Sequence, residues 1–578
     1  MDFIYYQLRA FFLKREKQNK VTFKLVELTD LWLCTAKQCK RRLKQCEALG
    51  KLTYVPGRGR GNGSELIFRA PFQQEVQEIV EQALETNSLD DVIELLGMDI
   101  PKAWFDEVFQ EIQGLFGVQQ GSNDQDILRY ILRRPITSLD PLKVAVSRES
   151  FLIHQLGDTL LQYEDGAHSL QPGLAHHWRV SKDYCQWTFF LRKGVRFHHG
   201  RMLTSEDVKY TLLRARNPES VVSWQLQNIK DISCDNEYVV TIHLNKGEPF
   251  FGHYLAMGNL AILPYDISFD EKRWVSTGPF KIRNYSDQSL TLEVFEDYYG
   301  LRPLMDRIEF WVIENQELPV TVLTDAEFSK KDEYVEYSKE NVGVEFLMFN
   351  FQSQSVIQHP KFREAIYHLL DGVEMKKELA IGMSASRFHP EKSKPVPKEC
   401  SKVAELLEEA GYQGEVLTLG TFSYLEARKK AEWLQKRAAA YGIQLELRKM
   451  PISGTFYTKE YEEETDMMMA ADVPIANQEL AFLDFCSNPN LFCQRLFSKA
   501  ILSVLNKKIE KMKFNEDYSK RQLVYEQIDQ WLTTNYFLVY ISHPVKRELI
   551  HSTIKRQGKE FFSNLDLRTV WAERGDTV

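Results

Sequence analysis

The sequence predicts a multi-domain chain, α+β at its amino end and α/β behind. Three observations carry that prediction. A chain of 578 residues exceeds what one hydrophobic core organises. Residues 1–69 hold 15 Lys and Arg against 6 Asp and Glu, whereas the remainder holds 58 against 75, so a basic end precedes an acidic body. Helical periodicity dominates residues 1–117, and strands alternate with helices from there to residue 578.

Composition narrows the class. With 43% hydrophobic and 27% charged residues, neither a disordered nor a collagen-like chain fits. No run of eighteen apolar residues exists, so no membrane span is expected. The apolar stretch at 3–13 is interrupted by Gln7 and Arg9, and positive charge follows it, so it does not read as an export signal. Eight cysteines show no CxxC spacing, which suits free thiols and a cytoplasmic location.

Residues 1–70 form the first unit. Ile4, Leu8, Phe11 and Phe12 share one helical face. Thr22 is placed to cap a second helix running through Trp32, and Thr35 a third over 36–49 that Gly50 stops. Two short strands, 52–55 and 65–68, flank a glycine-rich tip after Pro56. Three helices followed by a hairpin make a winged helix-turn-helix.

The third helix separates its faces. At 100° per residue Ala36, Cys39, Leu43 and Cys46 fall on one stripe. Arg41 lies opposite, flanked by Lys37, Gln38, Lys44 and Gln45, with Lys40 and Arg42 at the sides. Arg bridges guanine O6 and N7, and Gln bridges adenine N6 and N7. Lateral cations neutralise phosphates and set register. The expected contacts to double-stranded DNA are Thr35, Lys37, Gln38, Lys40, Arg41, Arg42 and Lys44, with Arg58 and Arg60 from the wing tip.

Residues 71–117 read as a helical connector that is also a candidate homodimer contact. Residues 118–126 are polar and aperiodic, and read as a linker. The body occupies 127–578. It carries Leu139-Asp-Pro, Leu174-Ala-His-His-Trp, the run Trp-Thr-Phe-Phe-Leu-Arg-Lys-Gly-Val at 187–195, Glu206-Asp-Val, Thr277-Gly-Pro-Phe, Phe295-Glu-Asp-Tyr-Tyr, Phe349-Asn and an Ala404–Tyr412 helix pattern. Gly194, Gly200 and Gly278 serve turns, and Trp187, Phe189 and Leu191 alternate as a strand with one buried face.

These segments, in this order, resemble the family 5 solute-binding proteins, the receptors of peptide and nickel ABC transporters. The basic third helix, Leu28-Thr-Asp-Leu and the wing resemble the amino-terminal domain of SgrR-type transcriptional regulators, which have the same domain order. Ser276 stands where the family usually has glycine, and Tyr298-Tyr299 where it has Tyr-Trp. The resemblance implies a two-lobed, periplasmic-binding-protein-like body of the type II, peptide- and nickel-receptor-like class, with a ligand in its cleft. It implies Asp472 as partner of a ligand ammonium, and Trp224 and Ser223 as pocket residues. The function it implies is a cytoplasmic, DNA-binding regulator sensing a peptide, sugar phosphate or similar small molecule, with operator affinity or RNA polymerase contact as its output. The alternative is a substrate-binding protein for peptide transport.

An enzyme is not expected. No GxSxG, Walker A or HExxH pattern occurs. His176-His177 and His198-His199 are adjacent pairs, which point to opposite faces of a strand and make poor joint metal ligands. No cofactor or metal is expected, and Met467-Met-Met reads as a buried strand.

Overall fold

A computed structural model describes residues 3–32, 35–57, 63–86, 95, 98, 100–101, 104, 117–120, 125–132, 134–164, 168–312, 334–339, 343–379, 382–423, 425–450, 460–473, 477–544, 546–551, 554–556 and 566–573. The wing-tip residues Arg58 and Arg60 and most of the connector after residue 86 lie outside them.

At the amino end, α1 (Phe3–Phe12) buries Tyr5, Leu8 and Phe12. β1 (Lys20–Phe23) follows, with Val21 and Phe23 buried and Lys20 and Thr22 exposed, a period of two. Thr22 is therefore a strand residue, not the expected helix cap. α2 (Leu25–Leu31) starts behind Lys24, whose N–H donates to the Glu27 carboxylate at 2.7 Å. The strand reading lost to the Thr-x-x cap pattern because a strand of four residues gives only two buried positions. α3 (Ala36–Ala48), β2 (Leu52–Val55) and β3 (Ser64–Phe68) complete the unit. Its sheet has three antiparallel strands in the order β1-β3-β2, one more than the sequence suggested.

α4 (Phe72–Thr86) does not stand apart as a connector. Phe72, Val76 and Val80 enter the core formed by α1, α3 and the wing sheet, with Leu95 and Met98 beside them. A buried ionic knot fixes this docking. Arg9 of α1 is fully buried and donates to Glu75 of α4 at 3.1 Å, to Glu16 at 2.9 Å, to the Tyr5 hydroxyl at 3.0 Å and to the Ala70 carbonyl at 3.2 Å. Its guanidinium also lies 4.1 Å from the Phe68 ring centre and 4.9 Å from that of Phe72. The polar residue that interrupts the first apolar stretch is thus the centre of the unit.

The expected linker is a strand over part of its length. β4 (Gly117–Gln120) pairs antiparallel with β5 (Asp126–Leu132), in register Gly117 with Arg129 and Gln120 with Asp126. Its polarity misled, since an edge strand is held by backbone pairing and does not need an apolar face.

The first lobe contains two sheets. One runs Phe280–Tyr285, Ser289–Val294, Arg307–Val312, β5, β4, with Arg307–Val312 parallel to β5. The other is antiparallel, in the order Ile229–Asn236, Val239–Leu244, Gln186–Leu191, Ala175–Val180. Gly278 packs against the chain at Leu156, where an added Cβ would lie 2.4 Å from the carbonyl carbon. The second lobe holds a mixed six-stranded sheet: Met383–Ser384, Leu538–His543, Val344–Phe349, Met467–Asp472, Val416–Phe422, Gln444–Met450. Met467, Met468 and Met469 are buried in it. The chain crosses between lobes twice, and the crossing strands Tyr334–Lys339 and Lys546–His551 pair with each other antiparallel. A last hairpin, Ile554–Arg556 with Val570–Ala572, returns to the first lobe and buries Ile554, Leu567 and Val570 in its core.

Among the described residues, Trp311 joins the amino-terminal core to the solute-binding body. Trp311, on the strand parallel to β5, packs against the core of α1, α3 and α4. Its indole N–H donates to Glu309 at 3.3 Å, and Glu309 forms a buried ion pair with Arg129 of β5 at 2.9 Å.

Replacing Arg9 by Ala strands the buried carboxylates of Glu75 and Glu16, which is expected to cost about 3–5 kcal/mol in the amino-terminal unit. Urea unfolding of the full chain followed by far-ultraviolet dichroism measures it. A loss below about 1 kcal/mol would mean that the knot is not what holds α4 in place.

Candidate functional site

Two surfaces carry chemistry. The first is the outer face of α3. Thr35 caps the helix: its hydroxyl accepts from the Gln38 N–H at 3.4 Å, and the Gln38 side-chain oxygen accepts from the Thr35 N–H at 2.9 Å. Gln38 is therefore engaged in its own cap, a role the sequence reading did not assign. Cys39, Leu43 and Cys46 are buried as expected, but Ala36 is exposed because the first turn lies beyond the edge of the core. Lys37, Lys40, Arg41, Lys44 and Gln45 are exposed. Arg42 is half-buried, its guanidinium 5.5 Å from the Trp32 ring centre, so it is tied to α2 rather than free at the side. Among the described residues, no carboxylate lies within ion-pair distance of Lys37, Lys40, Arg41 or Lys44. These four cations share one helix face with no acid to neutralise them.

The second surface lies between the lobes. Trp224 and Ser223 sit on the short helix Ser223–Leu226 of the first lobe. Asp472 ends the central strand Met467–Asp472 of the second lobe, and the helix Gln478–Ser487 follows it. The fold brings Asp472 and Trp224 to one place through a residue the sequence reading missed, Asp484. Its carboxylate accepts from Asn488 Nδ2 at 3.1 Å, faces the Trp224 indole, and repels Asp472. The Trp224 N–H is buried without a partner at full hydrogen-bonding geometry, although it is near enough to favour the charged form of Asp484. Burial is the main force on both acids, and it pushes Asp472 up to about 8 and Asp484 up to about 7. For Asp472 the second acid adds to the effect. The signal for Asp484 was present as a lone carboxylate in the apolar run Leu480 to Cys486. Ser223 is buried nearby in sequence and helix, but no side-chain partner marks it as a contact.

Other bridges lock the lobes together. Lys513 of the second lobe pairs with the buried Glu248 of the first at 2.8 Å, and Glu248 also accepts from the Tyr254 hydroxyl at 2.9 Å. Within the first lobe, the Trp224 ring meets Tyr254 edge to face at 5.7 Å. His168 stacks on Tyr518 at 4.3 Å. The two lobes accordingly share one continuous hydrophobic cluster. Glu248, Tyr254 and Lys513 carry no sequence pattern that separates them from ordinary surface residues.

The histidine pairs do not form a centre. A bulge between Ala175 and His177 leaves both His176 and His177 exposed, where simple alternation would have split them. His198 is enclosed, with Nε2 3.0 Å from the Gly278 carbonyl, and burial lowers it to about 4. Among the described residues no group of three or more His, Cys, Asp or Glu is arranged for a metal, and no helix is long and apolar enough to cross a membrane.

Known proteins match this arrangement. Residues 169–490 match the middle region of the bacterial extracellular solute-binding proteins, family 5. Residues 5–115 match the amino-terminal domain of the sugar transport-related sRNA regulator, a span that runs across the junction of β3 and α4. YhjP of Bacillus subtilis (strain 168) is 27% identical over 577 residues, covering 96% of this chain and 97% of its own. The HTH-type transcriptional regulator SgrR of Pectobacterium atrosepticum is 28% identical over 338 residues, or 57% of this chain, and the match spans 58% of that relative's length. Among solved structures, the periplasmic binding protein DppA of Helicobacter pylori in complex with the peptide STSA superposes with a TM-score of 0.67 at 22% identity, over 78% of this chain and 98% of its own. The dipeptide-binding protein of Pseudoalteromonas sp. SM9913 in complex with Met-Leu gives 0.68 at 18% identity, over 77% and 100%. With the two-lobed fold and more than half the sequence accounted for, the chain belongs to the family 5 bacterial solute-binding proteins and carries that domain behind an amino-terminal domain of the SgrR type.

Proposed function

We propose that this chain is a DNA-binding transcriptional regulator, acting in the cytoplasm, whose interlobe cleft takes a small amine-bearing solute. The observation that carries the reading is the joining of an unneutralised cationic helix face to a solute-binding body through one packed contact, Trp311. Arg41 is the base reader and Lys37, Lys40 and Lys44 the phosphate contacts. Arg42 supports the helix through Trp32, Thr35 and Gln38 set its start, and Arg58 and Arg60 reach the backbone from the wing. Two copies on a symmetric operator would place their α3 helices one turn of the duplex apart, ~34 Å. In domain terms, 1–70 reads, 71–117 braces and transmits through α4, and 127–578 senses.

The cleft side rests on the acid pair. Two carboxyls held partly protonated by burial gain most from a ligand that brings its own positive charge, since the pair's desolvation is then offset. An ammonium between Asp472 and Asp484, with Trp224 as one wall, is the arrangement these groups favour. Met-Leu, held by one of the fold relatives, presents such a group. Ligand that contacts both lobes favours their closed arrangement, and that difference in affinity is the energy available to move Trp311 against the reading head. The output is a change in operator affinity or in contact with RNA polymerase.

Arg41→Ala is expected to weaken binding to a specific duplex by about 1–3 kcal/mol, while Arg179→Ala on the first lobe leaves it unchanged. Fluorescence anisotropy at fixed salt measures both, and equal losses would remove α3 from the groove. For the cleft, thermal unfolding with the dipeptide Met-Leu and with its N-acetylated form is the check. The free amine should raise the midpoint and the acetylated form should not, with the rise absent in Asp472→Asn. A phosphosugar that stabilises the chain where Met-Leu does not would refute the ammonium reading.

The acids also set a pH dependence. Their pKa values are raised on folding, so the stability they contribute is fully present below the unfolded value of about 4 and is lost as pH rises through about 7 and 8. The Asp472→Asn chain should therefore gain on the parent progressively between about pH 5 and about pH 8.5, in midpoints from calorimetry. A difference constant with pH would mean that Asp472 is ionised at neutral pH.

A further inference from the structure

The second lobe contains a cavity of about 300 Å³ away from the acid pair, between the helix Pro360–Leu369, the strand Met383–Ser384, the loop at 385–398 and the end of the helix Tyr518–Thr534. Its place in the sheet separates it from the cleft. Asp472 lies on the strand Met467–Asp472, whereas the cavity lies against Met383–Ser384 and Leu538–His543, on the far side of Val344–Phe349 in the sheet order. Three strand spacings put about 14 Å between Asp472 and Ser384.

Arg387 and Lys398 line this cavity together with Tyr367, Tyr536, Ser384 and Thr533. Two cations thus converge on one recess, on a scale suited to a small ligand. The Lys398 ammonium sits 3.1 Å from the centre of the Tyr367 ring. Among the described residues no carboxylate lies within ion-pair distance of it. The acid nearest in sequence to that wall, Asp371, is engaged by the N–H groups of Val373 and Glu374 at 2.9 and 3.2 Å. Arg387 donates to the Thr533 hydroxyl at 2.8 Å and reaches one carboxylate, Asp529, at only 4.0 Å. Asp529 itself is buried and accepts from the Tyr540 hydroxyl at 2.8 Å.

Burial lowers the Lys398 amine to about 7, with Asp371 and Cys400 opposing it. A half-buried ammonium with no carboxylate beside it gains from an arriving anion. The Tyr536 ring stands 5.2 Å from that of Tyr367 in the cavity wall.

We propose that this cavity is a second ligand site, separate from the interlobe cleft, that binds a small oxyanion, either a phosphate ester or a carboxylate, between Arg387 and Lys398. Ser384 adds a hydroxyl to the lining, and Arg387 and Lys398 act as point charges on the two sides of the bound anion.

The experiment is titration calorimetry of the full chain with inorganic phosphate and, separately, succinate. Binding of one alone identifies the oxyanion class, and binding of both leaves charge as the criterion. Lys398→Gln and Arg387→Gln should each weaken the bound anion about tenfold or more, and Asp472→Asn should leave it unchanged. Lys398 forms no ion pair, so its variant stays informative if Arg387→Gln, beside Asp529, fails to fold. No heat with either anion up to about 10 mM, or affinities equal to the parent in Lys398→Gln, overturns the proposal. Loss of anion binding in Asp472→Asn with Lys398→Gln unaffected would place the anion in the cleft and overturn it as well.

Discussion

The buried guanidinium of Arg9 is the interaction on which the amino-terminal half rests. A charge fully removed from water survives only when every donor is met, and Arg9 meets Glu75, Glu16, Tyr5 and Ala70 at once. Because Glu75 belongs to α4, satisfying that charge forces α4 into the winged unit's core. Once α4 is docked, its neighbours Leu95 and Met98 fall into the same cluster, and so does the tryptophan that reaches it from the sensing body. α3 is therefore braced from behind by α4, which shares its core. A flexible tether would average away a motion of the body; a shared core does not, since packed interiors transmit displacement.

The body uses the same logic with opposite charge. Among the described residues neither Asp472, which is half-buried, nor the buried Asp484 has an ion-pair partner, while Lys513 with Glu248 and the stacked His168 and Tyr518 rings bolt the lobes around them. Inside, Asp484 accepts from Asn488, and its charge opposes the ionisation of Asp472.

Much of this was legible in the sequence. The α3 stripe of Cys39, Leu43 and Cys46 and the opposing cations follow from helical spacing, and the Thr35 cap from local chemistry. The strand at 187–191 and the buried methionines at 467–469 were equally clear. What escaped depends on distance through space. Thr22 resembled a cap because nothing local reveals that β1 pairs with β3, more than forty residues away. Arg9 read as an interruption because its partner Glu75 lies 66 residues on. Asp484 escapes a sequence reading because a carboxylate on a helix is usually solvated, whereas here every residue from Glu479 to Cys486 is buried. Gln38 and Arg42 were assigned to DNA by their angle on the helix, yet a capping bond and the Trp32 ring hold them, and angle alone is blind to both.

β4 has a further consequence. The chain enters the first lobe as the outermost strand of its five-stranded sheet, so the segment arriving from the reading head also covers the flank of β5. Exposed flanks of that kind recruit other chains. Cutting the chain between β4 and β5 would strip that cover and leave a sticky margin on the first lobe, whereas a cut ahead of Gly117 would keep it. The boundary of the body is therefore set by β4, not by the start of β5.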